Sequence, residues 1–114
     1  MWEVEYTNDF EAWWNTLDAR DQGAVDASVR LLEQEGPNLK FPYSSGAHNS
    51  RHSAMRELRT QSGGRPLRTF YIFDPRRTAI LLIGGDKTGN DRFYEEFIPV
   101  ADDIYDQYLK ETGS

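Results

Sequence analysis

Hydrophobic positions in this chain follow two different periods. Trp2, Val4 and Tyr6 occupy every second position of segment 2–7, which is the spacing of a half-buried β-strand. The next apolar residues follow the i, i+3, i+4, i+7 spacing of an amphipathic helix: Phe10, Trp13, Trp14 and Leu17. Asn8 and Glu11 have the spacing of a capping box, so we expect this first helix to begin at Asn8.

A second helical period follows directly. Asp18 is a suitable N-cap, Val25, Val29 and Leu32 share one helix face, and the Gly-Pro pair at 36–37 predicts the end of the helix. Two successive helices indicate a helical hairpin. Segment 36–53 then has no periodicity and is rich in Gly, Pro, Ser and Asn, so we predict a long loop there.

The second half of the chain returns to strand-like patterns and ends in a helix. Segments 54–60, 67–74 and 78–84 are strand-like and are joined by turn-forming residues. A polar, glycine-rich loop follows at 84–91. Residues 93–97 resemble one helical turn, and Pro99 suits the first position of a separate last helix.

The element order β, α, α, β, β, β, α predicts an α+β fold. We expect an antiparallel sheet built from 2–7, 54–60, 67–74 and 78–84, packed against an N-terminal helical hairpin and a C-terminal helix. The 114 residues are enough for one hydrophobic core, so residues 1–114 are interpreted as a single domain.

Composition narrows the possible classes of function. The chain has no Cys, which excludes disulfides, thiolate metal sites and cysteine nucleophiles and fits a reducing compartment. The N-terminus lacks the pattern of an export signal, and no apolar run approaches the length of a membrane span. We therefore expect a cytoplasmic protein without a membrane partner.

Charge is distributed unevenly along the chain. The net charge is −6, but residues 1–35 carry −7, residues 36–92 carry +6 and residues 93–114 carry −5. Clustered cations are what phosphate contact requires. The basic middle therefore predicts either one cationic sheet face or a set of salt bridges to the acidic ends, and the sequence leaves both open.

Several cations could converge on one patch of the predicted sheet. Strand alternation places Glu57 and Arg59 on one face and Arg56 on the other, so we favour Arg59 as the residue that joins Arg68. Lys87, Arg92 and Tyr94 follow the last strand and could border the same patch. The alternative is that each arginine is a surface residue paired with a nearby carboxylate.

Other motifs are less informative. The segment 84–90 lacks both the dinucleotide-binding and the Walker glycine spacings, and Ser44-Ser45-Gly46 lacks the spacing of a nucleophile elbow. His48 and His52 lie four residues apart in the predicted loop. They could form a metal pair or include an acid-base histidine, or they could have no role.

Three segments in this order resemble the central strands of the phage-derived, HigB-like branch of the RelE toxin superfamily: MRELR at 55–59, RPLRTFYIFD at 65–74 and AILLIGGDK at 79–87. The flanking helices agree with that family. The resemblance covers nearly the whole chain and implies a RelE-like α+β fold.

The same resemblance implies a function. It indicates the toxin of a type II toxin-antitoxin pair, a metal-independent mRNA endoribonuclease without cofactor, acting in many relatives on the ribosome. It implies a cognate antitoxin, expected to be a helix-turn-helix protein. The residues implied for catalysis are Arg59, Arg68, Lys87 and Tyr94, and those expected to bind RNA are Arg56, Arg76, Arg77 and Arg92.

The sequence also departs from this family. Some members carry paired lysines where this chain has Met55 and Glu57, so a general base would have to be Glu57, His52 or Lys87. Two alternative functions stay open. One is a catalytically inactive protein-binding module of the same fold, and the other is an RNA-binding domain without chemistry.

Overall fold

The computed structural model describes residues 1–113 and has helices on both faces of a five-stranded sheet. A single 3-10 turn at Gly36–Asn38 follows the second helix. The remaining elements, in chain order, are β1 (Glu3–Tyr6), α1 (Asn8–Trp14), α2 (Ala19–Glu35), β2 (Ser44–Gly46), β3 (Arg56–Ser62), β4 (Arg65–Phe73), β5 (Thr78–Asp86) and α3 (Phe93–Thr112).

The predicted α+β class is confirmed, but the sheet is mixed. Its strand order is β1-β5-β4-β3-β2, and β1 pairs with β5 in parallel while the other pairs are antiparallel. The expectation of a purely antiparallel sheet was therefore wrong for β1. From β1 the chain passes through α1 and α2 to β2 at the opposite edge of the sheet and returns strand by strand to β5, which lies beside β1.

The predicted loop at 36–53 contains one short strand. In β2, Ser44, Ser45 and Gly46 pair with Leu58, Glu57 and Arg56 of β3. Three residues are too few to show a period, so hydrophobic patterning could not reveal this strand. It becomes important below because it places Ser45 beside Glu57.

Two hydrophobic layers explain the almost continuous apolar runs of β4 and β5. Alternate residues of these strands face α1 and α2 on one side and α3 on the other. Among the apolar residues of the predicted strands and helices, Phe70, Ile72 and Leu81 are buried, and four more are partly buried and packed against a core cluster: Trp13, Trp14, Ile83 and Ile104.

The last helix differs from the prediction at its start. Phe93–Thr112 is one continuous helix with Pro99 inside it, where we expected a separate turn followed by a new helix. The rings of Phe93 and Phe97 stack on each other and on Phe70, and this packing anchors the turns that precede the proline. Pro99 is exposed, so its ring contacts solvent.

The helix caps agree with the sequence for α2 and differ for α1. Asp18 accepts a hydrogen bond from the Asp21 backbone N–H, as predicted. For α1 the cap is Thr7, which accepts from the Phe10 N–H and donates to the Leu82 carbonyl oxygen. Over residues 1–113, no helix is both long and apolar enough to cross a membrane.

Candidate active site

A buried carboxylate, Glu57 of β3, is the centre of a polar cluster. Its Oε2 accepts hydrogen bonds from Ser45 Oγ at 2.6 Å and Arg59 Nη1 at 3.2 Å, and its Oε1 accepts one from the Tyr94 hydroxyl at 2.7 Å. Arg68 Nε lies 3.5 Å from Oε1. We call these five residues the Glu57 cluster.

Four elements bring the Glu57 cluster together. Ser45 of β2 is the register partner of Glu57, and Arg59 of β3 is the register partner of Arg68 on β4. Tyr94 is the second residue of α3 and reaches the same face of the sheet. The face predicted from strand alternation, with Glu57 and Arg59 together, is the one observed.

Arg68 is more deeply buried than an RNA-contacting arginine would be. Its side chain is 4% exposed, and its Nη1 donates to the Leu67 carbonyl oxygen at 3.0 Å. Its buried Nε has no hydrogen-bond partner, because 3.5 Å separates it from Glu57 Oε1 in an ion pair without hydrogen-bond geometry. In this conformation its positive charge therefore acts first on Glu57.

Tyr94 is a hydrogen-bond donor at neutral pH. Burial raises the pKa of Tyr94 above its usual value of 10.0, and the hydrogen bond to the Glu57 carboxylate raises it further, while Arg68 acts in the opposite direction. Lys87 places its Nζ 5.1 Å from the centre of the Tyr94 ring, a cation-π contact. Lys87 thus borders the Glu57 cluster.

A small cavity lies beside the Glu57 cluster. Its volume is about 250 Å³, and we call it the Glu57 cavity. Polar and apolar residues line it: Ser45, Gly46, Ala47, His48, Asn49, Glu57, Tyr94 and Ile98. Hydrogen-bonding groups that converge on a concavity are typical of a binding or catalytic site.

The other predicted RNA-binding residues lie apart from this cavity. Arg56 is on the opposite sheet face, where its Nε donates to Ser44 Oγ at 2.9 Å. Arg92 is exposed at the start of α3, with Glu95 as its ion-pair partner. Arg76 and Arg77 occupy the turn after β4, at the far end of that strand from Arg68.

Much of the basic middle segment is paired with the acidic ends of the chain. Arg65 forms an ion pair with Asp21 of α2, and Arg76 forms one with Glu5 of β1. Arg51 pairs with Asp102, Asp103 and Asp106 of α3. Of the two readings that the charge distribution left open, these contacts favour salt bridges to the acidic ends over one cationic face.

The two histidines occupy different environments. His52 Nε2 lies 2.8 Å from Asp106 Oδ1 on α3, whereas His48 lines the Glu57 cavity. Among the described residues, no group of three or more His, Cys, Asp or Glu side chains is arranged to hold a metal ion. Of the three bases considered from the sequence, Glu57 lies within the site, Lys87 borders it and His52 does not reach it.

Sequence reasoning missed the central position of Glu57 and missed Ser45 altogether. Alternation along β3 did place Glu57 on the face of Arg59, which was the one available signal. The pairing of β2 with β3 and the approach of α3 are long-range contacts that no local pattern encodes.

Comparison with protein families decides where this chain belongs. The family described as phage derived protein Gp49-like (DUF891) matches residues 12–106. The chain belongs to the Gp49-like family.

Curated relatives connect this Gp49-like chain with RelE/HigB-type toxins, to which it belongs. It is 40% identical over 111 residues to "Putative toxin HigB2" of Mycobacterium tuberculosis, covering 93% of the chain and 55% of that relative. It is also 40% identical over 100 residues to "Putative toxin HigB3" of the same organism, covering 87% and 86%. The chain thus spans about half of HigB2 and most of HigB3.

A solved structure supports the fold. The free state of a double arginine-to-alanine mutant of Escherichia coli toxin RelE superposes with a TM-score of 0.57, covering 84% of this chain and 94% of the other. The identity is 9%, so this likeness concerns the fold alone. The RelE-like α+β architecture expected from the sequence is confirmed.

Proposed function

We propose that this Gp49-like protein is the toxin of a type II toxin-antitoxin pair and cleaves mRNA without a metal ion. The observation that carries the proposal is the buried Glu57 carboxylate, held beside a cavity by Ser45, Tyr94 and Arg59. A carboxylate in this position can accept the proton of an RNA 2′-hydroxyl that attacks the adjacent phosphate.

Each member of the site then has a role in that chemistry. Glu57 is the general base. Arg59, whose side chain is 25% exposed, and Lys87 would contact the phosphate and balance the charge that it gains. The buried Arg68 adds positive charge behind Glu57 and orients it. Tyr94 also orients Glu57 and offers its aromatic ring for stacking with an RNA base.

The remaining cations would contact RNA outside the cleaved position. Arg92 is exposed and precedes Tyr94 of the Glu57 cluster by two residues, so we propose that it binds the RNA strand beyond the scissile phosphate. Arg56, Arg76 and Arg77 would contribute only through more distant phosphates. Such contacts raise affinity in a salt-dependent way without taking part in the reaction.

The partners belong to the same proposal. A cytoplasmic ribonuclease would require a cognate antitoxin, and we propose a helix-turn-helix protein encoded beside it. The substrate would be mRNA, free or on the ribosome. Sequencing the neighbouring reading frame and testing whether the two purified proteins bind each other checks the proposed antitoxin. RNA cleavage with and without translating ribosomes checks the proposed substrate.

The deciding experiment compares the parent protein with Glu57→Gln on an RNA oligonucleotide in the presence of EDTA. The parent should yield 2′,3′-cyclic phosphate and 5′-hydroxyl ends. Glu57→Gln keeps the shape of the side chain but loses the base, so its cleavage rate should fall by roughly 10²- to 10⁴-fold. Glu11→Gln, which changes an exposed carboxylate of α1, is the matched control and should cleave like the parent.

One observation favours a second candidate function, a protein-binding module without catalysis. Both arginines of the cluster pair with Glu57, so in the site as observed each of them already has a carboxylate partner. This alternative would replace the nuclease if the folded parent protein binds the protein encoded by the neighbouring gene but cleaves no RNA, free or on ribosomes.

A further inference from the structure

The loop between β2 and β3 carries His48 to the edge of the Glu57 cavity. Eight residues line this cavity, and the titratable side chains among them are Glu57, Tyr94 and His48. The Tyr94 hydroxyl is directed to Glu57 Oε1. His48 therefore has the one titratable side chain of the lining that is exposed and not committed to the Glu57 cluster.

This loop is tied down on both sides. At its base, the Ala47 backbone N–H donates to the Met55 carbonyl oxygen at 2.9 Å. On α3, the buried carboxylate of Asp102 accepts hydrogen bonds from Ser50 Oγ and from the Arg51 backbone N–H, the latter at 3.0 Å. The loop consequently fixes the backbone on both sides of His48.

The backbone next to His48 turns through a left-handed conformation. Asn49 has a φ of 72°, in a region that asparagine adopts more readily than most other residues with a side chain. The contacts of Ser50 and Arg51 with α3 are the ones that hold the chain there.

We propose that His48 is the general acid of the reaction, a catalytic residue outside the set that the family resemblance implies. The inference rests on the proposed nuclease function. The 2′-oxygen forms a bond to phosphorus as its proton passes to Glu57. The bond from phosphorus to the 5′-oxygen breaks as the imidazolium of His48 gives that oxygen its proton. Exchange with solvent then restores both groups.

An imidazole is suited to this role because it both holds and releases a proton near neutral pH. Two other titratable groups line its cavity, Glu57 of β3 and Tyr94 of α3. Arg59 of β3 and Arg68 of β4 pair with Glu57, Lys87 contacts the Tyr94 ring, and Asp102 of α3 holds the loop through Ser50 and Arg51. Because His48 and Glu57 line the same cavity, an acid and a base are available to one bound phosphate.

The test uses the full chain and two RNA oligonucleotides that differ in one atom. One has the ordinary 5′-oxygen at the scissile phosphate, and the other has a bridging 5′-sulfur, whose thiolate leaves without a proton. His48→Ala should slow cleavage of the ordinary RNA by roughly 10²- to 10⁴-fold and leave the sulfur substrate nearly unaffected. Glu57→Gln should be slow on both.

The pH profile provides a second readout. In the parent, cleavage of ordinary RNA should decline at high pH as the acid loses its proton, and this decline should be absent for His48→Ala. A melting curve like the parent's shows that the variant is folded. If the parent cleaves and His48→Ala is unimpaired, or equally slow on both substrates, the role of His48 is overturned while the nuclease stands. If the parent cleaves neither RNA, both proposals fail.

Discussion

Arg68 lies on the predicted strand, but its ion-pair partner in the structure is Glu57 and not a phosphate. The sequence indicated a rigid arginine on a central strand, available to phosphate. In the structure its guanidinium is buried against Glu57, and both side chains are about 5% exposed or less. Removing one partner of a buried ion pair destabilises the fold strongly, because the remaining buried charge is then unpaired.

We therefore expect Arg68→Ala to lower the free energy of unfolding by about 3 kcal/mol, the lower end of the usual cost of removing one partner from a buried pair. The lower end applies because Ser45, Arg59 and Tyr94 still bond Glu57. Arg92→Ala is the control. Its side chain is 76% exposed, so its removal should cost less than about 1 kcal/mol.

Urea unfolding of both variants checks this expectation. Equal effects would show that Arg68 is not the structural partner of Glu57. Arg68→Lys keeps the charge but loses the planar guanidinium, so it should recover only part of the stability and of the RNA cleavage rate.

At the scale of elements, the packing of strand β5 explains why it ends in two successive glycines, Gly84 and Gly85. The register between β4 and β5 shifts next to Phe70, so β5 carries an irregularity before its glycines. Gly84 then lies under the ring of Trp13, and Gly85 lies under the ring of Phe97. These glycines allow α1 and α3 to approach the sheet.

Two glycine substitutions should therefore have opposite effects. In Gly84→Ala the new Cβ would lie 2.2 Å from Trp13 Cζ3, so the ring must move, at a cost of about 1 to 3 kcal/mol. In Gly23→Ala the new Cβ meets no atom within 4 Å, and α2 should gain about 0.5 to 1 kcal/mol. Thermal or urea unfolding measures both, and a stable Gly84→Ala protein would contradict the packing described.

At the scale of the whole molecule, ion pairs connect the basic segment 36–92 with the acidic segments 1–35 and 93–114. The acidic ends supply the carboxylates, and the basic middle supplies the arginines. The hydrogen bond from the Ser62 hydroxyl, followed by that from Arg65, holds the pKa of Asp21 below its usual 3.8. Hydrogen bonds from Arg51 and then His52 lower the pKa of Asp106 in the same way.

These shifts predict acid sensitivity. A carboxyl whose folded pKa is lowered contributes stability that is present above its unfolded pKa, about 3.8, and is lost as the pH falls through the folded value. The free energy of unfolding should therefore decline below about pH 4. Asp21→Asn should be less stable than the parent at pH 7 and should lose less on acidification, whereas Asp91→Asn, at an exposed site, should follow the parent.

Unfolding curves between pH 2.5 and 7, run on all three proteins in the same buffer series, provide the measurement. Parallel curves for the parent and Asp21→Asn would show that the contact of Asp21 with Ser62 and Arg65 adds nothing to folding.

Local patterning predicted a large part of this molecule. The α+β class, the helical hairpin, the three central strands and the shared face of Glu57 and Arg59 follow from periods of 3.6 and 2 residues, which depend on neighbours only a few positions away. The resemblance carried by segments 55–59, 65–74 and 79–87 correctly indicated the family. Pro99 was misread as a helix start, because its cost inside α3 is offset by the packing of Phe93 and Phe97 on Phe70 of the sheet.

The arrangement that performs chemistry was decided by tertiary structure. The sequence alone specified that Glu57, Arg59 and Arg68 stand on strands, but register placed Arg59 opposite Arg68 and Ser45 beside Glu57. The return of the chain to β5 beside β1 made that pair parallel, and the contacts of loop 47–55 with α3 accompany the position of His48 at the cavity. These contacts join residues far apart in the chain, so their geometry depends on how whole elements pack and is absent from any short stretch of sequence.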